Sequence, residues 1–177
     1  MLDPRLEHCP CGGPTTPRTP RTRTEAEVAS MAAERVLQSQ EFAALYAEVQ
    51  RFYAHQMRIL DAHDAERWAG TFTEDAVFEL PSLSGPLRAR AGLARYVRAG
   101  EARQRRVGNR LHHWIGMLDV RPQADGSLHT RCSALVYVTP RGGSSRVLYV
   151  CVMEDVLVRI RGRWRTAHRR VTRDDLA

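Results

Sequence analysis

The chain has 177 residues, 43% hydrophobic and 27% charged, which fits one ordinary globular domain with a tail. No run of 18 apolar residues occurs, so a membrane-spanning helix is excluded; the first 24 residues lack the apolar stretch of a secretory signal, and four cysteines are too few for a disulfide scaffold. A cytoplasmic protein is expected. The net charge is +7 and all 27 basic residues are arginine, which reads as the codon bias of a GC-rich genome; with aromatics at 7%, it argues against a nucleic-acid partner.

Residues 1–30 are assigned to a basic, Pro/Thr-rich tail and residues 31–177 to the folded domain, with Met31 a candidate start of translation. The stretch Gly12–Arg21 buries too little apolar surface to offset its ordering entropy, so it is expected to be disordered. His8-Cys9-Pro10-Cys11 has one Cys-x-Cys and no second pair, which is a weak metal signature; no metal is expected.

Residues 25–60 read as a helix. Phe42, Leu45, Val49, Phe52 and Leu60 recur at helical spacing, uninterrupted by Pro or Gly. Asp64 reads as the N-cap of a short second helix through Trp68 that stops at Gly70. Ala76–Leu80 is a short strand ended by Pro81. Pro86–Ala99 reads as a third helix, with Leu87, Leu93, Tyr96 and Val97 on its apolar side and Gly100 as its stop.

Four strands follow: Leu111–Arg121, Leu128–Thr139, Val147–Ile160 and Trp164–Val171. Ala124-Asp125-Gly126-Ser127, Pro140-Arg141-Gly142-Gly143 and Arg161-Gly162-Arg163 supply the turns between them. The pattern is α+β: three helices packed on a curved, mostly antiparallel sheet.

Certain strings carry a resemblance. They are Leu60-Asp61-Ala62-His63-Asp64 with Trp68, Thr71-Phe72-Thr73-Glu74-Asp75-Ala76-Val77-Phe78, and His112-His113-Trp114. Glu154-Asp155-Val156-Leu157-Val158-Arg159, Gly162-Arg163-Trp164-Arg165 and Arg169-Arg170-Val171 complete them. Over residues 40–175 the chain resembles the SnoaL-like branch of the nuclear-transport-factor-2-like superfamily. The resemblance implies a cone-shaped fold in which helices wrap a strongly curved sheet and enclose a pocket. It implies a cofactor-free enzyme of aromatic polyketide tailoring, acting as a cyclase, dehydratase or isomerase. Non-catalytic relatives, such as the small subunits of ring-hydroxylating dioxygenases, supply the alternative, and a stand-alone ligand carrier is a third. A homodimer is implied, with an acyl carrier protein or an oxygenase as further candidate partners.

Tyr53, Met57 and Asp61 fall at i, i+4 and i+8, on one side of the first helix. An acid at the end of an apolar face is partly desolvated, which suits it to acid–base work near neutrality. The resemblance places a catalytic Asp at Asp61; where the dehydratases carry a nearby Tyr, this chain has Gln56, and Tyr53 is the candidate substitute. The structural alternative is that Asp61 caps the next helix. His112 and His113 are adjacent on a strand and face opposite sides. His113, in line with Leu111, Ile115 and Met117, is assigned as the catalytic partner of Asp61; His112 lies in line with Trp114, Gly116 and Leu118.

On the last strand, Trp164, Thr166, His168 and Arg170 share a face that reads as a pocket wall, while Arg163, Arg165, Ala167 and Arg169 share a solvated one. Arg170 is the candidate cation for an enolate or carboxylate; an Asp155–Arg cross-strand pair that only orders the sheet is the alternative. The expected substrate-binding set is Tyr53, Met57, Trp68, Phe78, His112, Trp114, Met117, Tyr137, His168 and Arg170. The strand Thr130–Val138 has no carboxylate, so the mid-strand Asp of aldol cyclases and ketosteroid isomerase and the Asp-Arg-Asp relay of epoxide hydrolases are missing. Cys132 and Cys151 read as core thiols. Residues 88–110 hold eight arginines and one acid, Glu101, which reads as a solvated helix face or a rim for an anionic partner.

Overall fold

The computed structural model describes residues 24–176. Most of the expected tail, including His8-Cys9-Pro10-Cys11, lies outside the described residues. The chain divides into two units, Met1–Gln40 and Glu41–Ala177. In the first, the described part is the opening of helix α1 (Glu25–Asp61). Thr24 and Glu27 start it reciprocally: the Thr24 N–H donates to Glu27 Oε2 at 2.8 Å and the Glu27 N–H to Thr24 Oγ1 at 3.3 Å. Residues 25–40 are exposed throughout.

The second unit holds the rest of α1, then α2 (Ala65–Ala69), β1 (Phe72–Glu79), β2 (Leu87–Arg88), α3 (Ala89–Val107), β3 (Asn109–Pro122), β4 (Leu128–Pro140), β5 (Arg146–Ile160) and β6 (Arg163–Arg173), closed by a 3-10 turn, Asp174–Leu176. The strands form one mixed, curved, unclosed sheet in the order β2-β1-β6-β5-β4-β3. All neighbours are antiparallel except β1 and β6, which run parallel. The fold is α+β, a cone of helices on a bent sheet.

Asp64 caps α2 as expected, accepting from the Arg67 N–H at 3.2 Å. The third helix differs from its expected span. Leu87 and Arg88 pair with Phe78 and Val77 as an edge strand, and α3 runs through Gly100 to Val107. Gly100 is no stop because it takes an ordinary helical conformation. Gly108 is the stop: at φ 68° it supplies the left-handed turn that lets its N–H bond back to Arg105 and Gln104. β1 also begins earlier than expected, since polar Thr73, Glu74 and Asp75 hide its alternation. The tightest hairpin joins β5 to β6, where Arg161 at φ 49° and Gly162 at φ 75° turn the chain with the handedness that paired strands require.

Two apolar clusters hold the unit together. Ile59, Trp68, Phe72, Phe78, Leu93 and Val97 join α2 and α3 to β1. Val49, Tyr53, Val120, Leu128, Leu157 and Trp164 join α1 to the sheet. Bulges on β3 and β6 control what those two strands present inward. On β3, Met117 (φ 52°) and Leu118 together oppose only Cys132, and on β6 Ala167 is an extra residue between Thr166 and His168.

Candidate active site

A cavity of about 570 Å³ opens between α1, α2, α3 and the inner face of the sheet. That volume suits a compact organic ligand, since small-molecule pockets span roughly 300–1,000 Å³. Its walls are mainly apolar: Met57, Leu60, Trp68, Phe78, Leu111, Val136 and Met153 are among them.

At one wall, the end of α1 meets β3. The Asp61 carboxylate accepts from the His113 backbone N–H at 3.2 Å through both oxygens, and its Oδ1 lies 2.7 Å from His113 Nδ1. Asp61 does not cap α2; Asp64 does that, which leaves Asp61 free for His113. A carboxylate on Nδ1 selects the tautomer with its proton there and leaves Nε2 as the basic nitrogen. His113 and Asp61 are largely buried, at 22% and 12% side-chain exposure. His112 Nδ1 also comes within 3.5 Å of Asp61 Oδ2, but from the exposed outer side.

Beneath the cavity floor lies a polar network centred on Arg169, a residue that simple strand alternation places on a solvated face. Arg169 is buried at 2% exposure. Its Nε donates to Asp155 Oδ1 at 2.8 Å, and its Nη2 donates to Asp155 Oδ2 and to Gln56 Oε1, each at 2.6 Å. The guanidinium sits over the rings of Phe72, Phe78 and Tyr53 at 5.3, 5.9 and 5.9 Å. Burial alone would lower its pKa; the charge and hydrogen bonds of Asp155 outweigh that and hold it above its ordinary value. Gln56 is tied by Nε2 to Thr71 and Thr166 at 2.8 and 3.3 Å. Tyr53 donates to Asp155 Oδ2 at 2.9 Å and lies 2.6 Å from Thr130 Oγ1. Burial, then the charge of Asp155, pushes the Tyr53 hydroxyl well above its usual range, so it stays protonated. Arg169 also lines the cavity, and its Nη1 has no protein partner among the described residues.

The expected residues thus separate. Met57, Asp61, Trp68, Phe78 and His113 line the cavity. Tyr53 lies below it, inside the network. His112 and Tyr137 pair across β3 and β4 on the outer face, and Trp114 points the same way at 58% exposure, because strand alternation sends them opposite to His113. Met117 was expected in line with His113; the β3 bulge turns it out to 88% exposure and brings Leu118 inward instead. His168 and Arg170 were expected on the pocket wall. The Ala167 bulge reverses the face of β6, so His168 turns away to meet Glu79 at 2.8 Å, Arg170 is exposed, and Arg169, Val171 and Arg173 face the cavity. The expected Asp155–Arg pair exists, with Arg169 as its cation.

Among residues not singled out, His63 lines the cavity beside Asp61 and holds a left-handed backbone at φ 59°. Its place after the Asp61 helix end was the available signal. Among the described residues, no group of three or more His, Cys, Asp or Glu could hold a metal ion, and no helix is long and apolar enough to cross a membrane.

Residues 41–170 match the SnoaL-like domain. This chain belongs to the SnoaL-like family. Solved structures agree with the family assignment. Aln2 from a Streptomyces species is 35% identical with a TM-score of 0.70, over 75% of this chain and 93% of that one. ActVI-ORFA from Streptomyces coelicolor is 33% identical with a TM-score of 0.68, over 75% and 98%. A Catenulispora acidiphila protein solved in complex with S-DNPA is 36% identical with a TM-score of 0.65, over 75% and 96%. No curated protein sequence matches this SnoaL-like chain.

Proposed function

We propose that this protein is a cofactor-free tailoring enzyme that moves a proton on a polycyclic, oxygenated aromatic polyketide intermediate, in a dehydration, isomerisation or ring closure. The observation that carries the reading is the Asp61–His113 pair in the wall of an apolar cavity. His113 Nε2 takes and returns the proton. Asp61 fixes the imidazole and stabilises the imidazolium that forms. Arg169, anchored by Asp155 and Gln56, offers its open Nη1 edge to an oxygen that gains negative charge, as an enolate does. Met57, Trp68 and Phe78 provide flat apolar walls for rings. Similarity to the Streptomyces proteins and to a relative bound to S-DNPA supports this substrate class.

The test is deletion of the gene in its host, followed by complementation with wild type, Asp61→Asn and His113→Ala. The expected result is an accumulating intermediate that only wild type removes. Its mass then separates loss of water from isomerisation. Full rescue by both variants overturns the reading and directs attention to a partner subunit.

The protein is further proposed to form a homodimer through the outer face of the sheet. Trp114, Leu135 and Val150 form one row across β3, β4 and β5, and Trp114 and Val150 are exposed beside Met117.

A further inference from the structure

Helix α1 closes on a residue that is costly at that position. The Asp64 N–H donates to the Ile59 carbonyl at 3.2 Å and the His63 N–H to the Leu60 carbonyl at 2.9 Å, the two bonds of a closing turn that ends left-handed. Glycine is the usual residue there, and α3 uses Gly108 at φ 68°. In α1 the position holds His63, at φ 59°. A Cβ destabilises such a turn relative to glycine. No structural contact of the imidazole offsets this. Asp61, two residues earlier, engages His113 through both oxygens, and the His63 side chain has no hydrogen-bond or ion-pair partner among the described residues. It lies instead in the cavity wall. A backbone outlier kept for a side chain without a structural partner points to a functional group.

A second unmet group belongs to the same corner. Trp68 is 1% exposed and lines the cavity, and its indole Nε1–H is buried without an acceptor among the described residues. An indole N–H only donates, so it calls for an oxygen. Asp64 caps α2, which makes His63 the residue before the cap and Trp68 the fourth residue of the helix. Side chains at those two positions ordinarily meet at a helix start. The corner of α1 and α2 therefore offers one group that holds an oxygen and one that exchanges a proton near neutrality.

We infer that His63 is the proton donor of this enzyme and that Trp68 holds the oxygen it protonates. The inference rests on the cavity and the Asp61–His113 pair as proposed above, and it divides the transfer between two histidines. A proton shift within one molecule needs a single group that takes and returns the proton; a donor separate from the acceptor serves the departure of an oxygen. The step is loss of water. His113 Nε2 takes a proton from carbon, and the C–H electron pair becomes the second bond of a new carbon–carbon double bond. The neighbouring C–O bond breaks with its pair going to oxygen, the His63 imidazolium gives that oxygen a proton, and water leaves. One proton is taken and one is given, and solvent returns each histidine to its starting form.

The experiment uses purified full-length protein and the intermediate that accumulates when the gene is deleted in its host. Wild type should convert it to a product lighter by one water. His63→Gly, which suits the backbone, should lower kcat at least about a hundredfold with KM within about threefold, and added imidazole should restore kcat in proportion to its concentration. Trp68→Phe keeps a ring in the wall and should lower kcat/KM about fivefold, the effect of one hydrogen bond. Circular dichroism confirms that each variant is folded. A His63→Gly kcat within about threefold of wild type, a loss that imidazole does not restore, or a product of unchanged mass overturns the donor assignment and leaves the Asp61–His113 reading standing. Wild-type efficiency in Trp68→Phe overturns the role of the indole. If no intermediate accumulates, or if His113→Ala consumes it as fast as wild type, the proposed function and the inference fall together.

Discussion

Arg169 and Asp155 form a two-pronged ion pair across β6 and β5, with 2% and 0% of their side chains exposed. Both side chains are buried, with only the Arg169 Nη1 edge open to the cavity, so each charge depends on the other. Arg169→Met or Asp155→Leu alone should destabilise the fold by about 3–5 kcal/mol, because the surviving charge is left buried and unpaired. The double substitution should recover much of that loss and still lack activity, since the cavity loses its fixed cation. Urea unfolding midpoints of the three variants, with turnover measured on the double, check this. A double-variant loss equal to the sum of the two single losses would show that the pair is not energetically coupled.

Alkaline pH should weaken the protein. Burial pushes the Cys132 thiol from 9.0 up to about 12, and it raises Cys151 and Tyr53 in the same direction. A raised folded pKa means that the folded state keeps protons the unfolded state has released. The stabilisation from Cys132 is complete below pH 9.0 and is lost as pH rises towards about 12. Unfolding midpoints should fall through that window, and more gently in Cys132→Ala. The same burial predicts that Cys132 resists thiol reagents at pH 8 until the chain unfolds.

His63 sets the turn between α1 and α2 with a left-handed backbone. A residue with a Cβ is strained there and glycine is not. His63→Gly should therefore be more stable than His63→Ala by about 1 kcal/mol, although both remove the imidazole from the cavity wall. Thermal melts of the two variants decide it. The reverse order would mean that the side chain, not the backbone, fixes this turn.

The outer face of the sheet gives a fourth test. The Trp114 indole lies over Gly116, where an added Cβ would come within 2.9 Å of the ring. Light scattering after gel filtration should find a dimer for wild type and a monomer for Trp114→Arg. An unchanged mass in the variant would remove this face from the interface.

Element types were legible because they depend on local chemistry. The Asp64 cap, the Asp125-Gly126 and Arg161-Gly162 turns and the apolar period of α1 all lie within a few residues of the elements they define. Asp61 and His113 were legible for a related reason: one ends a helix and the other sits early in a strand, before any irregularity. Alternation failed after the bulges. One extra residue leaves no mark in the period, yet it reversed the faces assigned to Met117, His168, Arg169 and Arg170. Gly100 misled because a glycine ends a helix only where the backbone turns left-handed, and tertiary packing decides where that happens.

The extra residue at Ala167 has a consequence for comparing sequences. Arg169 and Arg170 are chemically the same and adjacent, yet one lies in the cavity floor and the other in solvent. Which one enters depends on Ala167 standing out of the ladder rather than on residue identity. Absorbing Ala167 into the ladder opposite Val156 would exchange the two without altering either letter. In a chain one residue shorter here, the residue opposite Asp155 still faces inward, and only an alignment with its gap at Ala167 sets it against Arg169. Alignment columns through this strand therefore correspond in space only when the gap falls at the bulge.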